Sequence, residues 1–214
     1  FHKEKISTFL VTNGQYPEEL KDLPPITQLY ISLDAPSKEI LKKVSQPLFT
    51  DHWERLNKSL EYLSEKKERT CLRFTLMREI NMCDLEGYSK LIQKADPDFL
   101  EIKAYMFVGS SRQRLDLKNM PFHEDMVNFS KALVKYLPDY EIVAEHIPSR
   151  IVLLAKKKYK KNGKWHTWID FDKFFNKEED YSRETPETGL SGKGTKERMK
   201  VDEKTEELEF WKED

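Results

Sequence analysis

The sequence predicts an α/β domain built on a mainly parallel sheet, and two observations support this fold class. Short apolar runs rich in β-branched residues alternate along the chain with segments that carry apolar residues at helical spacing. Strand and helix follow each other in strict order, which favours a parallel sheet with crossover helices. The 214 residues suffice for one full core, or for one core and a tail.

The predicted strands lie at residues 8–11, 28–33, 70–77, 99–107, 140–144 and 151–155. The predicted helices lie at residues 38–44, 50–66, 85–95 and 123–137. The second of these helices shows the pattern most clearly, because Trp53, Leu56, Leu60 and Leu63 recur at the spacing of one helical face.

The end of the domain is predicted to be a β-hairpin. Asn162-Gly163 separates two apolar-alternating runs at 151–159 and 165–169, and Asn-Gly in this setting is the strongest short hairpin signal. After the hairpin the chain is dense in Lys and Glu and poor in apolar residues, a composition that buries too little surface to fold. We therefore predict a domain at 1–176 and a charged, disordered tail at 177–214.

Composition excludes several classes of protein. The formal net charge is −1, from 37 basic and 38 acidic residues, so a globally basic nucleic-acid binder is not indicated. No apolar run reaches the ~18 residues of a membrane span. Cys71 and Cys83 are the only cysteines, too few for a zinc or iron–sulfur site of their own, and they suggest a reducing, cytoplasmic setting.

The beginning of the chain suggests that a longer protein precedes it. Phe1 stands where an initiator methionine would, and a buried strand is predicted almost immediately after it. We expect the chain to be the larger, C-terminal part of an α/β enzyme.

Three predicted strands are apolar on one face and polar on the other. The polar positions are Ser32 and Asp34, then Arg73 and Thr75, then Glu101 and Lys103. Parallel strands are usually apolar on both faces, so this pattern predicts a barrel or half-barrel with a polar interior and a site at the carboxyl ends of the strands. The alternative is a sheet whose polar face meets water.

Five separated segments resemble one known family, in that family's order. They are FLVTNG at 9–14 with TQLYISLDA at 27–35, RTCLRFTL at 69–76, EIKAYMFVG at 101–109, RL and NMP at 114–121, and WHTWIDF at 165–171. Together they resemble the radical S-adenosylmethionine (SAM) enzymes that make 4-demethylwyosine in tRNA, over about residues 1–175.

The resemblance implies an incomplete TIM-like (β/α) barrel that binds SAM and a [4Fe-4S] cluster. It implies a lyase that condenses pyruvate carbons with N1-methylguanosine beside the anticodon of tRNA-Phe, in wybutosine biosynthesis, with help from an electron donor. The family's Cys-x3-Cys-x2-Cys and Gly-Glu-Pro motifs do not occur in this sequence. We expect both upstream, where some members also carry a flavin mononucleotide (FMN) domain, and we expect the fragment alone to be inactive.

The resemblance also implies site residues. The cofactor-binding candidates are Thr12, Asn13, Ser32, Asp34, Arg73 and Thr75. Lys103 is the catalytic candidate near the substrate, although the pattern equally allows an ion pair with Glu101 or Asp34. No metal ligand is assigned within the chain.

The tRNA-binding candidates lie in the predicted hairpin: Lys157, Lys158, Lys160, Lys161, Lys164 and Trp165. Lysines beside aromatic residues suit phosphate contact and base stacking. The alternative role is a charged edge that discourages strand pairing.

Two other functions remain open from the sequence. The first is an aldolase-like lyase in which Lys103 forms a Schiff base in a polar barrel. The second is a non-catalytic tRNA-binding remnant.

Overall fold

The computed structural model describes residues 1–191, and its centre is a six-stranded sheet. The strands are β1 (Phe9–Thr12), β2 (Gln28–Ser32), β3 (Arg69–Leu76), β4 (Phe99–Ala104), β5 (Tyr140–His146) and β6 (Ile151–Lys156). Their order is β1-β2-β3-β4-β6-β5. Strands β1 to β4 are parallel, and β6 runs antiparallel to both of its neighbours.

One face of this sheet is covered by helices. They are α1 (Pro17–Lys21), α2 (Lys38–Ser45), α3 (His52–Ser64), α4 (Leu85–Ala95) and α5 (His123–Leu133). Every second side chain of β2 and β3 is fully buried beneath them: Leu29, Ile31, Leu72, Phe74 and Leu76. Burial of this apolar stripe drives the folding of the sheet onto α3, α4 and α5. A further short helix, α6 (Phe171–Phe175), packs through Phe174 against Tyr181.

The predicted strands and helices form in the predicted order, although most of their ends shift by one to four residues and α1 was not predicted. The strand predicted at 99–107 ends at Ala104. There the Tyr105 amide donates to the Leu76 carbonyl at 2.8 Å, and the chain leaves the sheet in a long loop.

The predicted closing hairpin is wrong in its pairing. Strand β6 lies between β4 and β5 instead of pairing with residues 165–169. The Asn-Gly turn does form a hairpin, but only between β7 (Lys160–Lys161) and β8 (Lys164–Trp165). Asn162 and Gly163 have φ values of 50° and 79°, the left-handed backbone that the tightest hairpin turns need.

The predicted tail is wrong for residues 177–191, which pack on the domain. Strand β9 (Trp168–Ile169) pairs with β10 (Ser182–Arg183). Tyr181 is buried, and its hydroxyl accepts from the Arg69 amide and donates to the Thr27 carbonyl, each at 3.0 Å. The domain therefore extends beyond 176, while the rest of the predicted tail, 192–214, lies outside the described residues.

The sheet is open within residues 1–191. Strands β1 and β5 form its two edges, so the mixed α/β architecture is established and barrel closure is not seen in this range. No helix in the same range is long and apolar enough to cross a membrane.

Candidate active-site face

The face of the sheet turned away from the helices carries polar side chains in two rows. The register aligns Ser32 with Arg73 and Arg73 with Glu101 in the first row. One step towards the carboxyl ends, the second row pairs Thr75 with Lys103. Neighbours in a row lie ~4.8 Å apart and the rows ~6.6 Å apart, so a small ligand can reach both. We call this surface the polar face.

An apolar cluster, which we call the apolar plug, covers the polar face near the amino ends of its strands. The row below consists of Tyr30, Cys71 and Phe99, aligned across β2, β3 and β4. Side chains from the C-terminal segment pack onto that row: Tyr159, Trp165 and Leu190. The Phe99 and Tyr159 rings are 4.6 Å apart. The polar face is therefore bounded by apolar side chains near the amino ends of the strands and is open at their carboxyl ends.

Arg73 and Glu101 form an ion pair in the first row. Arg73 Nε lies 3.1 Å from Glu101 Oε1, and both side chains are partly buried. Breaking such a pair leaves a half-desolvated charge, so the two groups hold each other in place. A ligand carboxylate would have to share the Arg73 guanidinium with Glu101.

Asp34 follows β2 and lies at the β2 end of the second row, beside Thr75. Its Oδ1 accepts from the Thr75 amide at 2.7 Å. Burial raises the pKa of Asp34 to about 6, against lowering contributions from the Thr75 hydrogen bonds and the Arg73 charge. The carboxyl is therefore poised to change charge near neutral pH.

Asn81 is a supporting residue that the sequence reasoning missed. It is fully buried, and its Nδ2 donates to the Asp34 carbonyl at 2.8 Å and the Thr75 carbonyl at 2.9 Å. Its Oδ1 accepts from the Met77 amide at 2.6 Å. Asn81 thus ties together the ends of β2 and β3; an isolated Asn in a loop gave no periodic signal for this role.

Lys103 has no fixed partner among the described residues. It is partly buried, and its ammonium makes no ion pair or hydrogen bond with any of residues 1–191. The ion pair predicted as an alternative does not form, since Glu101 binds Arg73. Ile151 and His146 continue its row into β6 and β5, so an imidazole lies in the same row as Lys103.

Thr12 and Asn13 differ in orientation. Thr12 aligns with Ile31, a buried residue on the helix-covered face, so its side chain points away from the polar face. Its hydroxyl accepts from the Gly14 amide at 3.2 Å. Asn13 is the next residue and is exposed, with its Oδ1 accepting from the Gln15 amide at 3.2 Å. Of this predicted pair, only Asn13 follows the alternation that puts its side chain on the same face as Ser32.

The lysines of the predicted tRNA site lie at the other end of the sheet. Tyr159 packs on Phe99, the first residue of β4, and Lys158 pairs with Asp98 just before it at 2.6 Å. Lys103 lies near the last residue of β4, ~13 Å away along the strand.

Most of these lysines are matched by carboxylates. The pairs are Lys158–Asp98, Lys160–Glu141, Lys161–Asp180 and Lys164–Glu184. Trp165 packs into the apolar plug. The hairpin therefore presents little net positive charge, and its role in tRNA binding stays a prediction.

The described residues fit part of a SAM site and do not fit an iron–sulfur cluster. Ser32, Asp34, Arg73 and Thr75 offer hydroxyl, carboxyl and guanidinium groups on one face. Across residues 1–191, no three His, Cys, Asp or Glu side chains converge as metal ligands. Burial also raises the pKa of the Cys71 thiol, which keeps it protonated.

Comparisons with known proteins point to one family. Residues 94–156 match the family described as wyosine base formation. The SAM-dependent tRNA 4-demethylwyosine synthase of Oryza sativa is 47% identical, over 89% of this chain and 31% of its own length. The corresponding enzyme of Xenopus laevis is 44% identical, over 89% of this chain and 28% of its own length.

Solved structures agree with the sequence comparison. The structure of TYW1 with a lysine–pyruvate adduct bound has a TM-score of 0.66 and 33% identity, over 76% of this chain and 51% of that one. The radical SAM enzyme HemN of Escherichia coli shares the fold at a TM-score of 0.50 with 13% identity. The chain is therefore a relative of the tRNA 4-demethylwyosine synthase family, aligned with it over most of its own length and spanning less than a third of the Oryza and Xenopus enzymes.

Proposed function

We propose that the chain is part of a SAM-dependent tRNA 4-demethylwyosine synthase and supplies one wall of its active site. The observation that carries the proposal is the identity of 44–47% with such enzymes across 89% of the chain. In this function pyruvate carbons are condensed with N1-methylguanosine in tRNA-Phe, a step of wybutosine biosynthesis in the cytoplasm. The six-stranded sheet then forms part of an incomplete barrel of the radical SAM type.

The polar face supports this function chemically. Ser32 and Asp34 offer a hydroxyl and a carboxyl to the ribose and ammonium groups of SAM. Arg73, already held by Glu101, presents its remaining guanidinium N–H groups to a carboxylate such as that of SAM or pyruvate. The apolar plug below excludes water from the lower end of the site.

The cofactor supplies radical chemistry when it is bound with its cluster, whose ligands are expected outside this chain. An electron donor, and in some arrangements an FMN domain, belongs to the same expectation. The residues of this chain bind and orient the substrate and exclude water, and Lys103 lies next to the substrate.

A segment exchange tests the proposal directly. The matching segment of the Oryza enzyme would be replaced by this chain, and the chimera supplied with SAM, pyruvate, a reductant and tRNA carrying N1-methylguanosine. Mass spectrometry of digested tRNA should detect 4-demethylwyosine. A chimera that is folded and holds its cluster, yet forms no product, would refute the proposal.

A Schiff-base role for Lys103 is the second candidate, and one observation favours it. Lys103 is partly buried and makes no ion pair or hydrogen bond within residues 1–191, as a nucleophilic amine requires. The TYW1 structure contains a lysine–pyruvate adduct, but the family resemblance implies that the lysine which engages pyruvate lies upstream of this chain. Borohydride reduction of the full chain with pyruvate should label Lys103 if this role is real, and the Lys103→Arg variant should then lose the label. Labelling of another lysine only would exclude it.

A further inference from the structure

The loop that follows β4 borders the carboxyl edge of the polar face at β3 and β4. It comprises residues 105–121, and we call it the arch loop. Its first amide, of Tyr105, donates to the Leu76 carbonyl at 2.8 Å, which places the loop over the ends of β3 and β4. Arg78 and Asn119 exchange two hydrogen bonds, from the Arg78 amide to the Asn119 carbonyl and from Asn119 Nδ2 to the Arg78 carbonyl. The arch loop therefore begins two residues after Lys103.

The arch loop is fixed internally as well. The Tyr105 hydroxyl donates to Ser111 Oγ at 2.7 Å, and Ser111 Oγ donates to the Val108 carbonyl. Arg112 Nε donates to the Phe107 carbonyl at 3.1 Å, with the guanidinium over the Phe107 ring. Met77, Tyr105 and Met120 form a small apolar cluster beneath the loop. A loop held in this way loses little conformational entropy when it binds a partner.

The exposed side of the arch loop carries an excess of positive charge, with Arg112, Arg114 and Lys118 against the one carboxylate of Asp116. Arg112 and Arg114 are exposed, and no carboxylate within residues 1–191 forms an ion pair with Arg114. Lys118 is balanced by Glu79 at 3.0 Å. Exposed Val108 and Leu117 flank the arginines at 55% and 45% exposure. Guanidinium groups beside apolar side chains suit the phosphates and splayed bases of single-stranded RNA.

We infer that the arch loop, and not the lysine-rich hairpin, is the RNA-binding element of this chain. The inference rests on the proposed function, since the RNA must bring its base to the polar face. Arg112 and Arg114 contact phosphates of a single-stranded loop, and Val108 contacts an adjacent base or ribose. The hairpin lysines lie at the far end of β4, and carboxylates pair with four of the five: Lys158, Lys160, Lys161 and Lys164.

The test compares two matched double variants of the full chain. Arg112→Gln/Arg114→Gln removes two charges from the arch loop, and Lys160→Gln/Lys164→Gln removes two from the hairpin. The probe is a short RNA stem-loop with the anticodon-loop sequence of tRNA-Phe. Binding is measured by fluorescence anisotropy between low and high salt, and a thermal melt confirms that each variant is folded.

The arch variant should lose about 1.4 from the slope of log affinity against log salt, from about 0.7 for each phosphate contact on a single strand. If the variant and the wild type bind equally at ~1 M salt, this difference in slope makes the variant bind roughly 25-fold more weakly than the wild type at ~0.1 M. The hairpin variant should change the slope by less than about 0.3. Because Arg112 also contacts Phe107, Arg114→Gln is measured alone as well and should lose about 0.7.

An unchanged slope in the arch variants, or an equal loss in the hairpin variant, would overturn the inference. If the arch variants lose binding to anionic lipid vesicles while their RNA binding is unchanged, the inference is overturned in favour of a membrane surface as the partner. The proposed function fails separately: a chimera that forms no 4-demethylwyosine, in a chain that still binds RNA through the arch loop, refutes the function and leaves the RNA-binding element standing.

Discussion

Asp34 should make the stability of the chain fall between acidic and neutral pH. The unfolded carboxyl titrates near 3.8 and the folded one near 6, because burial disfavours the charged form. Between these values the folded chain binds more protons than the unfolded chain, so the free energy of unfolding falls as pH rises. The difference of about two pKa units corresponds to about 3 kcal/mol, complete only above pH ~6.

Asp34→Asn removes this effect while keeping an oxygen that accepts from the Thr75 amide. Relative to the wild type, the variant should change stability little at pH 4 and gain up to about 3 kcal/mol at pH 7. With a urea dependence of roughly 2 kcal/mol per molar, the unfolding midpoint should move by about 1.5 M. Urea titrations at four pH values between these limits measure the difference.

Glu19→Gln serves as the control, because Glu19 is an exposed carboxyl on α1. It should show the same pH dependence as the wild type. Parallel stability curves for Asp34→Asn and the wild type at every pH would refute the reasoning, since they would mean that burial does not shift the Asp34 carboxyl.

Two further substitutions test the supports of the polar face. Asn81→Ala leaves three backbone groups at the ends of β2 and β3 without their hydrogen-bond partner, so the free energy of unfolding in urea should fall by about 2–4 kcal/mol. A fall below about 0.5 kcal/mol would contradict the supporting role of Asn81. Arg69→Lys keeps the charge but cannot reproduce the contacts of Arg69 with Gln28 Oε1 at 3.1 Å and the Thr167 carbonyl at 2.6 Å. Limited proteolysis should then cut residues 157–191 faster while the sheet stays intact. An unchanged cleavage rate would argue that the Arg69 contacts do not hold this segment on the sheet.

The sequence was sufficient to predict the strands because their signal is local. Alternation in β2, β3 and β4 identified both the buried stripe and the polar face, and the structure places Ser32, Arg73 and Glu101 in one row. The same reasoning about parity also separates Thr12 from Asn13, once the register of β1 against β2 is known. Register is a tertiary property, so the sequence alone left both residues as candidates.

Partners distant in sequence account for the errors. Insertion of β6 between β4 and β5 depends on pairing across the sheet, which no local pattern around Asn162-Gly163 encodes. Residues 177–191 have few apolar side chains, yet Tyr181 anchors them through hydrogen bonds to Arg69 and Thr27. Composition measures how much surface a segment can bury and does not register such polar anchors.

Equilibrium binding of SAM to the chimera tests most directly whether the polar face forms one wall of the active site. Ser32→Ala removes a hydroxyl that lies in the first row of the polar face, and Ser45→Ala removes an exposed hydroxyl at the end of α2 as a matched control. Loss of one hydrogen bond to the ligand should weaken SAM binding by roughly tenfold in Ser32→Ala, with no change in Ser45→Ala. Equal SAM affinity in both variants and the unsubstituted chimera would contradict the placement of the cofactor on this face.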